Sequence, residues 1–366
     1  MTAPIPLGMV GGGEGAFIGA VHRIAARMDG AFRLVAGALS SDAGRAEASA
    51  RALGLERSYA HFRQMAQAEA ARPDGIRAVS IVTPNHLHAA AAVAFLDAGI
   101  HVICDKPLAA TAAQAAEIAA AARQSTARFF LTHNYAALPM VREARAIVAE
   151  GGIGTLRLVH VEYLQGWLAD EVQSKQADWR TDPVQAGAGA IGDIGTHAWQ
   201  LAAFVTGSAP EAVSAELSSM VPGRRVDDDV RALLRYASGA RGMLWASQVA
   251  VGRENGLALR LFGTEGALDW AQEAPERLVY TPKGGPPRIL TRAQDRSGSF
   301  RTPPGHPEGY LEGFANLYAD IAAVIRGDAA PLARLPGLAD GLSGMAFIAA
   351  ARESSARDGA WVEVAP

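Results

Sequence analysis

The hydrophobic pattern of these 366 residues predicts an α/β chain in two parts. In the first part, short apolar runs alternate with amphipathic helical stretches, the signature of βαβ units around a parallel sheet. Beyond about residue 132, strand-like segments follow one another with turn residues between them, as in a mostly antiparallel sheet. The predicted fold class is therefore a doubly wound parallel sheet in 1–132, followed by an α+β domain in 133–366 with an open, mostly antiparallel sheet. A chain of this length fits two domains.

In the first part the apolar runs are 5–10, 32–39, 78–82, 101–104 and 129–132, with helical stretches at 18–28, 45–53, 88–98 and 112–123. Four of the runs stop at turn chemistry: Gly11-Gly12-Gly13, Ser40-Ser41-Asp42, Thr83-Pro84-Asn85 and Asp105-Lys106-Pro107. Right-handed crossovers then lay helices on both faces of the sheet. The second part opens with a helix at 138–150 and a half-exposed strand at 156–165, then a helix at 188–205 after a glycine-rich approach. Strand-like segments follow at 212–221, 226–236, 240–249, 257–262 and 266–270. Residues 273–306, rich in Pro, Gly, Arg and Ser, read as a long surface excursion. Helices at 308–326 and 338–357 close the chain.

Composition narrows the function classes. The chain is 49% hydrophobic and 19% charged, which suits a globular protein with a sizeable core. Net charge is −3 with both signs spread along the length, so no nucleic-acid partner is expected. The single cysteine, Cys104, excludes an internal disulfide and a cysteine-based zinc site, and its apolar neighbours make it a packed thiol. Asp227-Asp228-Asp229 reads as a solvated turn, and no metal is expected. No basic leader region precedes the first apolar run and no apolar stretch is long enough to span a bilayer, so the expected location is the cytoplasm.

Gly11, Gly13 and Gly15 stand where a strand turns into a helix. Glycine there lets the backbone approach a pyrophosphate, and the helix N-terminus offers free N–H groups and a positive dipole end. Ala16 takes the third position of the motif, with Phe17 and Ile18 opening the helix. At the end of the second strand, Ser40 and Ser41 suit ribose hydroxyls, with Asp42 slightly late and Arg45 near. Serine does not repel a 2′-phosphate and Arg45 attracts one, so these residues leave NAD and NADP both open. NAD is the reading, because no arginine stands directly beside the serines. The alternative for Ser40 and Ser41 is a helix N-cap.

Four separated motifs carry a resemblance: Gly8-Met9-Val10-Gly11-Gly12-Gly13, Thr83-Pro84-Asn85-His86-Leu87-His88, Cys104-Asp105-Lys106-Pro107-Leu108 and Gly192-Asp193-Ile194-Gly195-Thr196-His197. Together they make the chain resemble the Gfo/Idh/MocA oxidoreductases, the family of glucose-fructose oxidoreductase and inositol dehydrogenases. The resemblance spans nearly the whole chain. It implies an N-terminal Rossmann domain, a second domain whose open sheet makes homo-oligomer contacts, and a ring polyol or sugar as substrate. Lys106 matches the lysine of the family's Glu-Lys-Pro motif, with Asp105 replacing the glutamate. Asp193 and His197 match its Asp-x-x-x-His pair. The resemblance also makes Thr83, Pro84, Asn85, His88 and Asp105 cofactor-pocket candidates. Segments 11–19, 179–183 and 305–310 resemble the scyllo-inositol and related sugar dehydrogenase subgroup more finely, and bring in Arg180 and His306 as substrate candidates.

Chemistry supports the same residues. Oxidising a secondary alcohol sends a hydride to nicotinamide and a proton to a base, and His197 suits the base because free histidine titrates near ~6.5. Asp193, four residues earlier at a helix start, shares its face and orients substrate or imidazole. Lys106, at a strand's carboxyl end, suits stabilisation of the developing alkoxide. The expectation is that this ammonium and this imidazole act on one alcohol above bound NAD. Asn134 and Tyr135, after the fifth strand, are further candidates at nicotinamide or substrate. Tyr163, Trp167, Arg180, His306 and Tyr310 would supply donors and a wall for a polyol. Two other functions fit the same residues: a glycosidase using transient oxidation by NAD, and a non-catalytic dinucleotide-binding regulator.

Overall fold

The computed structural model describes residues 3–365. In chain order the first elements are β1 (Ile5–Gly11), α1 (Phe17–Met28), β2 (Phe32–Ala38), α2 (Ala43–Ala52), β3 (Arg57–Ser58), α3 (Phe62–Ala70), β4 (Ala78–Val82), α4 (His88–Asp97), β5 (His101–Cys104), α5 (Ala112–Gln124) and β6 (Phe129–Leu131). Then come α6 (Pro139–Ala149), β7 (Leu156–Leu164), α7 (Lys175–Arg180), α8 (Pro183–Ala186) and a π-helical turn, Ile191–Gly195, that runs directly into α9 (Thr196–Thr206). The remainder is β8 (Ala212–Ser218), β9 (Asp229–Arg235), β10 (Arg241–Ser247), β11 (Gly256–Gly263), β12 (Gly266–Ala271), β13 (Leu278–Pro282), β14 (Arg288–Leu290), α10 (Tyr310–Ile325), α11 (Leu338–Ala356) and β15 (Val362–Glu363).

The chain divides into two compact units. One runs to Asn134 and takes in Tyr310–Gly341; the other holds Tyr135–Gly309 and the chain from Leu342 onward. A single break at 132/133 does not capture this division, because α10 packs on α1. Two arginines tie it there: Arg77 donates to Ile325 O at 3.1 Å and Arg326 to Ala3 O at 3.3 Å.

In the first unit the six-stranded sheet has the order β3-β2-β1-β4-β5-β6, with every pairing parallel. The interior strands are buried on both faces, which is why they read as near-continuous apolar runs. Leu7, Met9, Ile81, Ile103 and Phe95 are fully buried, each worth roughly 1.5–3 kcal/mol of apolar transfer. Strand order reverses between β1 and β4, and the carboxyl ends there form the crevice where such sheets take ligands. The sequence pattern missed β3 and α3. Along α3, Met65 is the one large apolar side chain that is buried, beside Ala66 and Glu69.

The second unit carries a nine-stranded sheet, β14-β13-β12-β11-β7-β10-β9-β8-β15. All neighbours are antiparallel except β10 and β7, so the sheet is mixed. Helices α6 and α9 pack against it. Along β9 and β10 buried residues alternate with exposed ones, and Leu158, Leu233, Met243, Trp245 and Phe262 are exposed large apolar residues of its central strands.

Two expectations are corrected here. Part of 273–306 is ordered sheet, β13 and β14, and the buried Arg292 pins the segment through Glu276 and Glu308. Asp227, Asp228 and Asp229 are buried rather than solvated, because each accepts hydrogen bonds inside the fold. Asp228 accepts from Met220 N and Val221 N, and Trp245 Nε1 donates to Asp229 at 2.9 Å. Among the described residues no group of three or more His, Cys, Asp or Glu side chains is arranged to hold a metal ion.

Candidate active site

The turn after β1 is built on backbone that side chains would block. Gly11, Gly12 and Gly15 have φ of +76°, +72° and +73°, in the left-handed region that glycine alone enters without strain. A Cβ on Gly13 would lie 2.8 Å from Leu39 O. The tight helix–strand contact expected at Ala16 falls instead to Gly19, where a Cβ would sit 2.4 Å from Gly12 Cα. Ala16 is the N-cap of α1, with extended backbone and no side-chain cap, so the first N–H groups of the helix remain available to an anion. Phe17 is exposed, whereas Ile18 packs inward on Met9, Leu39 and Val82. Arg23, one turn further along α1, braces the turn by donating to Gly12 O at 2.5 Å.

At the end of β2 the cap of α2 is Asp42, which accepts from Arg45 N at 2.7 Å. Ser40 and Ser41 are therefore not the cap; Ser40 Oγ accepts from Asp42 N at 3.1 Å. Arg45 is exposed, with Nε 3.8 Å from Asp42 Oδ1.

These residues fit a dinucleotide. Besides the glycine cradle and the uncapped helix end, Thr83 Oγ1 and Asn134 Nδ2 are buried without a hydrogen-bond partner, after β4 and β6 respectively. Buried polar atoms are ordinarily paired, and these two stand at strand ends where a cofactor would supply the partners. Pro84 is half-buried and Asn85 buried on the same loop. His88 is different. It is fully buried, with Nδ1 2.9 Å from Pro107 O and Nε2 3.0 Å from Thr83 O. It bridges two loops from inside the fold and presents no surface to a ligand.

Lys106 follows β5 and is half-buried. It is one of three lysines among 34 basic residues; a chain that otherwise uses arginine keeps here the cation that is a compact donor with an adjustable pKa. Asp105 beside it accepts from the Thr132 hydroxyl at 2.7 Å. Burial pushes the Asp105 carboxyl up, but His22, Lys106 and Thr132 outweigh it and hold the group down at about 2. Burial, reinforced by the Lys106 ammonium, lowers the buried His133 to about 3. Cys104 is buried and its thiol pKa pushed up, which makes it a packing residue.

In the second unit Asp193 lies within the π-helical turn and His197 in the first turn of α9. π-turns of this kind are frequent at functional sites. Asp227 fixes the approach, accepting from Gly189 N at 2.9 Å and Ile191 N at 2.7 Å. Asp193 Oδ2 accepts from Arg180 Nε at 3.2 Å and Gln248 Nε2 at 2.9 Å. Arg180 itself is held by Gln176 Oε1 at 2.7 Å and lies over the Trp179 and Trp167 rings. The His197 ring meets Tyr135 at 4.9 Å and Tyr163 at 6.0 Å between centroids. The two tyrosine hydroxyls are 2.7 Å apart, Tyr163 donates to Asn255 Oδ1 at 2.7 Å, and Gln165 links Asn255 to Trp167.

The fold thus gathers Tyr163, Trp167, Arg180, Asp193 and His197 in the second unit. His306 is exposed in the same unit, with Nδ1 facing Pro303 O at 3.2 Å. Tyr310 opens α10 in the first unit and packs on Phe314. Sequence reasoning missed Gly19, His22, Gln248 and Asn255. Of these only Gln248 left a trace, as a polar residue closing an apolar strand.

Comparison with known proteins agrees with this construction. Residues 5–133 match the model of the oxidoreductase family with an NAD-binding Rossmann fold, and 141–269 match the GFO/IDH/MocA C-terminal domain. The chain is 50% identical to a crystallised oxidoreductase from Sinorhizobium meliloti, covering 99% of this chain and 100% of that one, with a TM-score of 0.91. An inositol dehydrogenase homologue from Azotobacter vinelandii, solved with NAD+, is 36% identical over 99% of this chain and 98% of its own, with a TM-score of 0.94. Levoglucosan dehydrogenase of Pseudarthrobacter phenanthrenivorans is 33% identical over 83% of this chain and 81% of its own. The chain is therefore a member of the Gfo/Idh/MocA family of oxidoreductases, and its first domain is the family's NAD-binding Rossmann fold.

Proposed function

We propose that the protein transfers a hydride between NAD and a secondary alcohol of a cyclic polyol or anhydro-sugar. The observation that carries this reading is the arrangement around Asp193 and His197. A carboxylate fixed by Arg180 and Gln248 precedes by one helical turn an imidazole set against two tyrosines. The relatives known as inositol dehydrogenase homologue and levoglucosan dehydrogenase favour the substrate class.

Bound NAD supplies the hydride acceptor. The chain's residues do the rest. Gly11, Gly13 and Gly15, the α1 N-terminus, Thr83 and Asn134 hold the dinucleotide, with Ser40 and Ser41 toward its ribose. The Lys106 ammonium donates to the alcohol oxygen and stabilises the alkoxide as the C–H bond weakens. His197 accepts the hydroxyl proton at Nε2 or Nδ1. Asp193 accepts a hydrogen bond from a neighbouring hydroxyl and fixes the ring's orientation. Trp167 and Arg180 form the polar aromatic wall.

The test is a panel of inositols, monosaccharides, levoglucosan and aryl glycosides, each with NAD and with NADP, followed at 340 nm. NADH accumulating with a cyclic polyol is expected. Glycoside cleavage without net NADH overturns the reading in favour of transient oxidation. Lys106→Ala should bind NAD normally while turnover falls ~10²-fold or more.

We propose in addition a homo-oligomer through the open sheet. Leu233, Met243 and Trp245 are exposed on adjacent strands β9 and β10, and Leu158 and Phe262 on β7 and β11. Exposed apolar side chains gathered on neighbouring strands of one sheet suit a protein contact. Light scattering that finds only monomer at micromolar concentration would reject this.

A further inference from the structure

Behind Lys106 lies a set of buried polar side chains that the chemistry above leaves unused. His22 on α1 is fully buried. Its Nδ1 is 2.9 Å from the Tyr318 hydroxyl and 3.0 Å from Ser80 Oγ, and Tyr318 donates to Ser80 at 3.1 Å. Its other nitrogen, Nε2, lies 3.7 Å from Asp105 Oδ1, the oxygen that Thr132 also engages. That separation is an electrostatic contact rather than a hydrogen bond, in a dry interior where charge acts strongly. An ionised carboxylate only accepts, so the tautomer that suits Asp105 carries its hydrogen on Nε2 and leaves Nδ1 to accept from a hydroxyl. Ser80 supplies that hydroxyl while itself accepting from Tyr318, so the two hydroxyls accommodate the tautomer that Asp105 selects.

We propose that His22, locked by Ser80 and Tyr318, is a positioning residue for Asp105 and, through it, for the Lys106 ammonium. The carboxylate is held in place beside the lysine, so that the ammonium is directed at the developing alkoxide. This rests on Lys106 acting at the alcohol oxygen. Ser80 and Tyr318 are as buried as His22, so the hydroxyls end inside the unit and carry no proton to water. A cluster with only a packing role would not need three buried polar side chains linked in a row beside the acid next to Lys106.

The chain holds only three lysines, Lys106, Lys175 and Lys283. Reductive ¹³C-methylation therefore gives a lysine NMR spectrum simple enough to follow Lys106 alone, assigned as the signal lost in Lys106→Arg. The charged or titratable groups acting on Asp105 are His22, Lys106, His88, Cys104 and Tyr318; His133 also faces Lys106. In His22→Asn, with full-length protein, the Lys106 methyl signal should move from its parent chemical shift at constant pH, because the carboxylate beside it is no longer held in place. With levoglucosan or myo-inositol as probe, kcat should fall ~10-fold, while the Kd for NAD stays within about threefold. His22→Gln, whose longer amide reaches toward Asp105, should recover part of both changes.

A Lys106 methyl chemical shift and a kcat unchanged in His22→Asn overturn the proposal. Should that variant fail to fold, Ser80→Ala and Tyr318→Phe carry the test, with smaller shifts in the same direction; no shift in either overturns it. Lys106→Ala separates the two levels. If it retains turnover, the catalytic role of Lys106 falls. If it loses turnover while the Lys106 methyl signal ignores His22, only the positioning role falls.

Discussion

Adding one methyl group at Gly19 tests whether the glycine turn is shaped for a cofactor. The Cβ of Gly19→Ala would lie 2.4 Å from Gly12 Cα and 2.7 Å from Gly12 O, where ordinary contact is 3.4–4 Å. Both obstacles are backbone, so α1 must retreat from the turn by about 1 Å. Alanine gains ~1 kcal/mol over glycine in a helix, and overpacking costs ~1–3 kcal/mol. The clash should win, leaving a net loss of up to about 2 kcal/mol and lowering Tm by up to roughly 8 °C. The displaced N–H groups of α1 should weaken NAD binding ~10-fold, which corresponds to ~1.4 kcal/mol. Titration calorimetry with NAD and a thermal melt measure both. Gly44→Ala, at an exposed helical position with only Asp42 Oδ1 at 3.5 Å, is the control and should gain stability. If Gly19→Ala binds NAD as tightly as the parent and melts higher, the argument from close packing is wrong.

Further outcomes follow from the same geometry. Gln248→Ala removes a donor that holds Asp193 and should lower kcat/KM ~10-fold; unchanged steady-state kinetics would remove Gln248 from the site. Glu69 is buried and accepts from Arg57, Tyr59 and Ile76 N, so that these partners outweigh burial and hold its carboxyl below the usual range. Glu69→Gln should cost about 3 kcal/mol in urea unfolding at pH 7, and less as pH falls through the folded carboxyl's titration; a pH-independent cost would refute the pairing. His133 titrates at about 3 in the fold but near ~6.5 in the unfolded chain. Between those values the unfolded state binds the extra proton, so stability falls as pH falls, by up to ~1.4 kcal/mol per unit. His133→Gln should flatten that slope between pH 4 and 6 in guanidinium titrations, and an unaltered slope would exclude His133 as its source.

Much of the framework was readable from residues alone. The apolar runs at 78–82 and 101–104 coincide with β4 and β5 because a strand buried on both faces has no polar positions to blur its ends. Strand β3 and helix α3 escaped because their partners are charged: Arg57, Tyr59 and Glu69 satisfy one another, and no apolar period announces them. The acidic triplet misled for a related reason. A run of like charges ordinarily means solvent, but Asp227 is enclosed by backbone N–H groups distant in sequence and Asp228 by those of the turn just before it. Lys106, Asp193 and His197 could be singled out because their motifs are local. His22, Gln248 and Asn255 were not, since each matters through a partner that only the fold brings near.

The return of α10 to the first unit bears on how the protein is made. During synthesis, the segment through Asn134 leaves the ribosome roughly 175 residues ahead of Tyr310. At ~5–20 residues per second that is an interval of about 10–35 s. Throughout it His22 and Phe32 lack Tyr318, the ring that meets both in the finished structure. The nascent nucleotide-binding unit must therefore wait, with part of its interior uncovered, for nearly the last helix of the chain. A ribosome that stops short of Tyr310 releases a polypeptide in which every strand of that sheet is present but its final covering element is not.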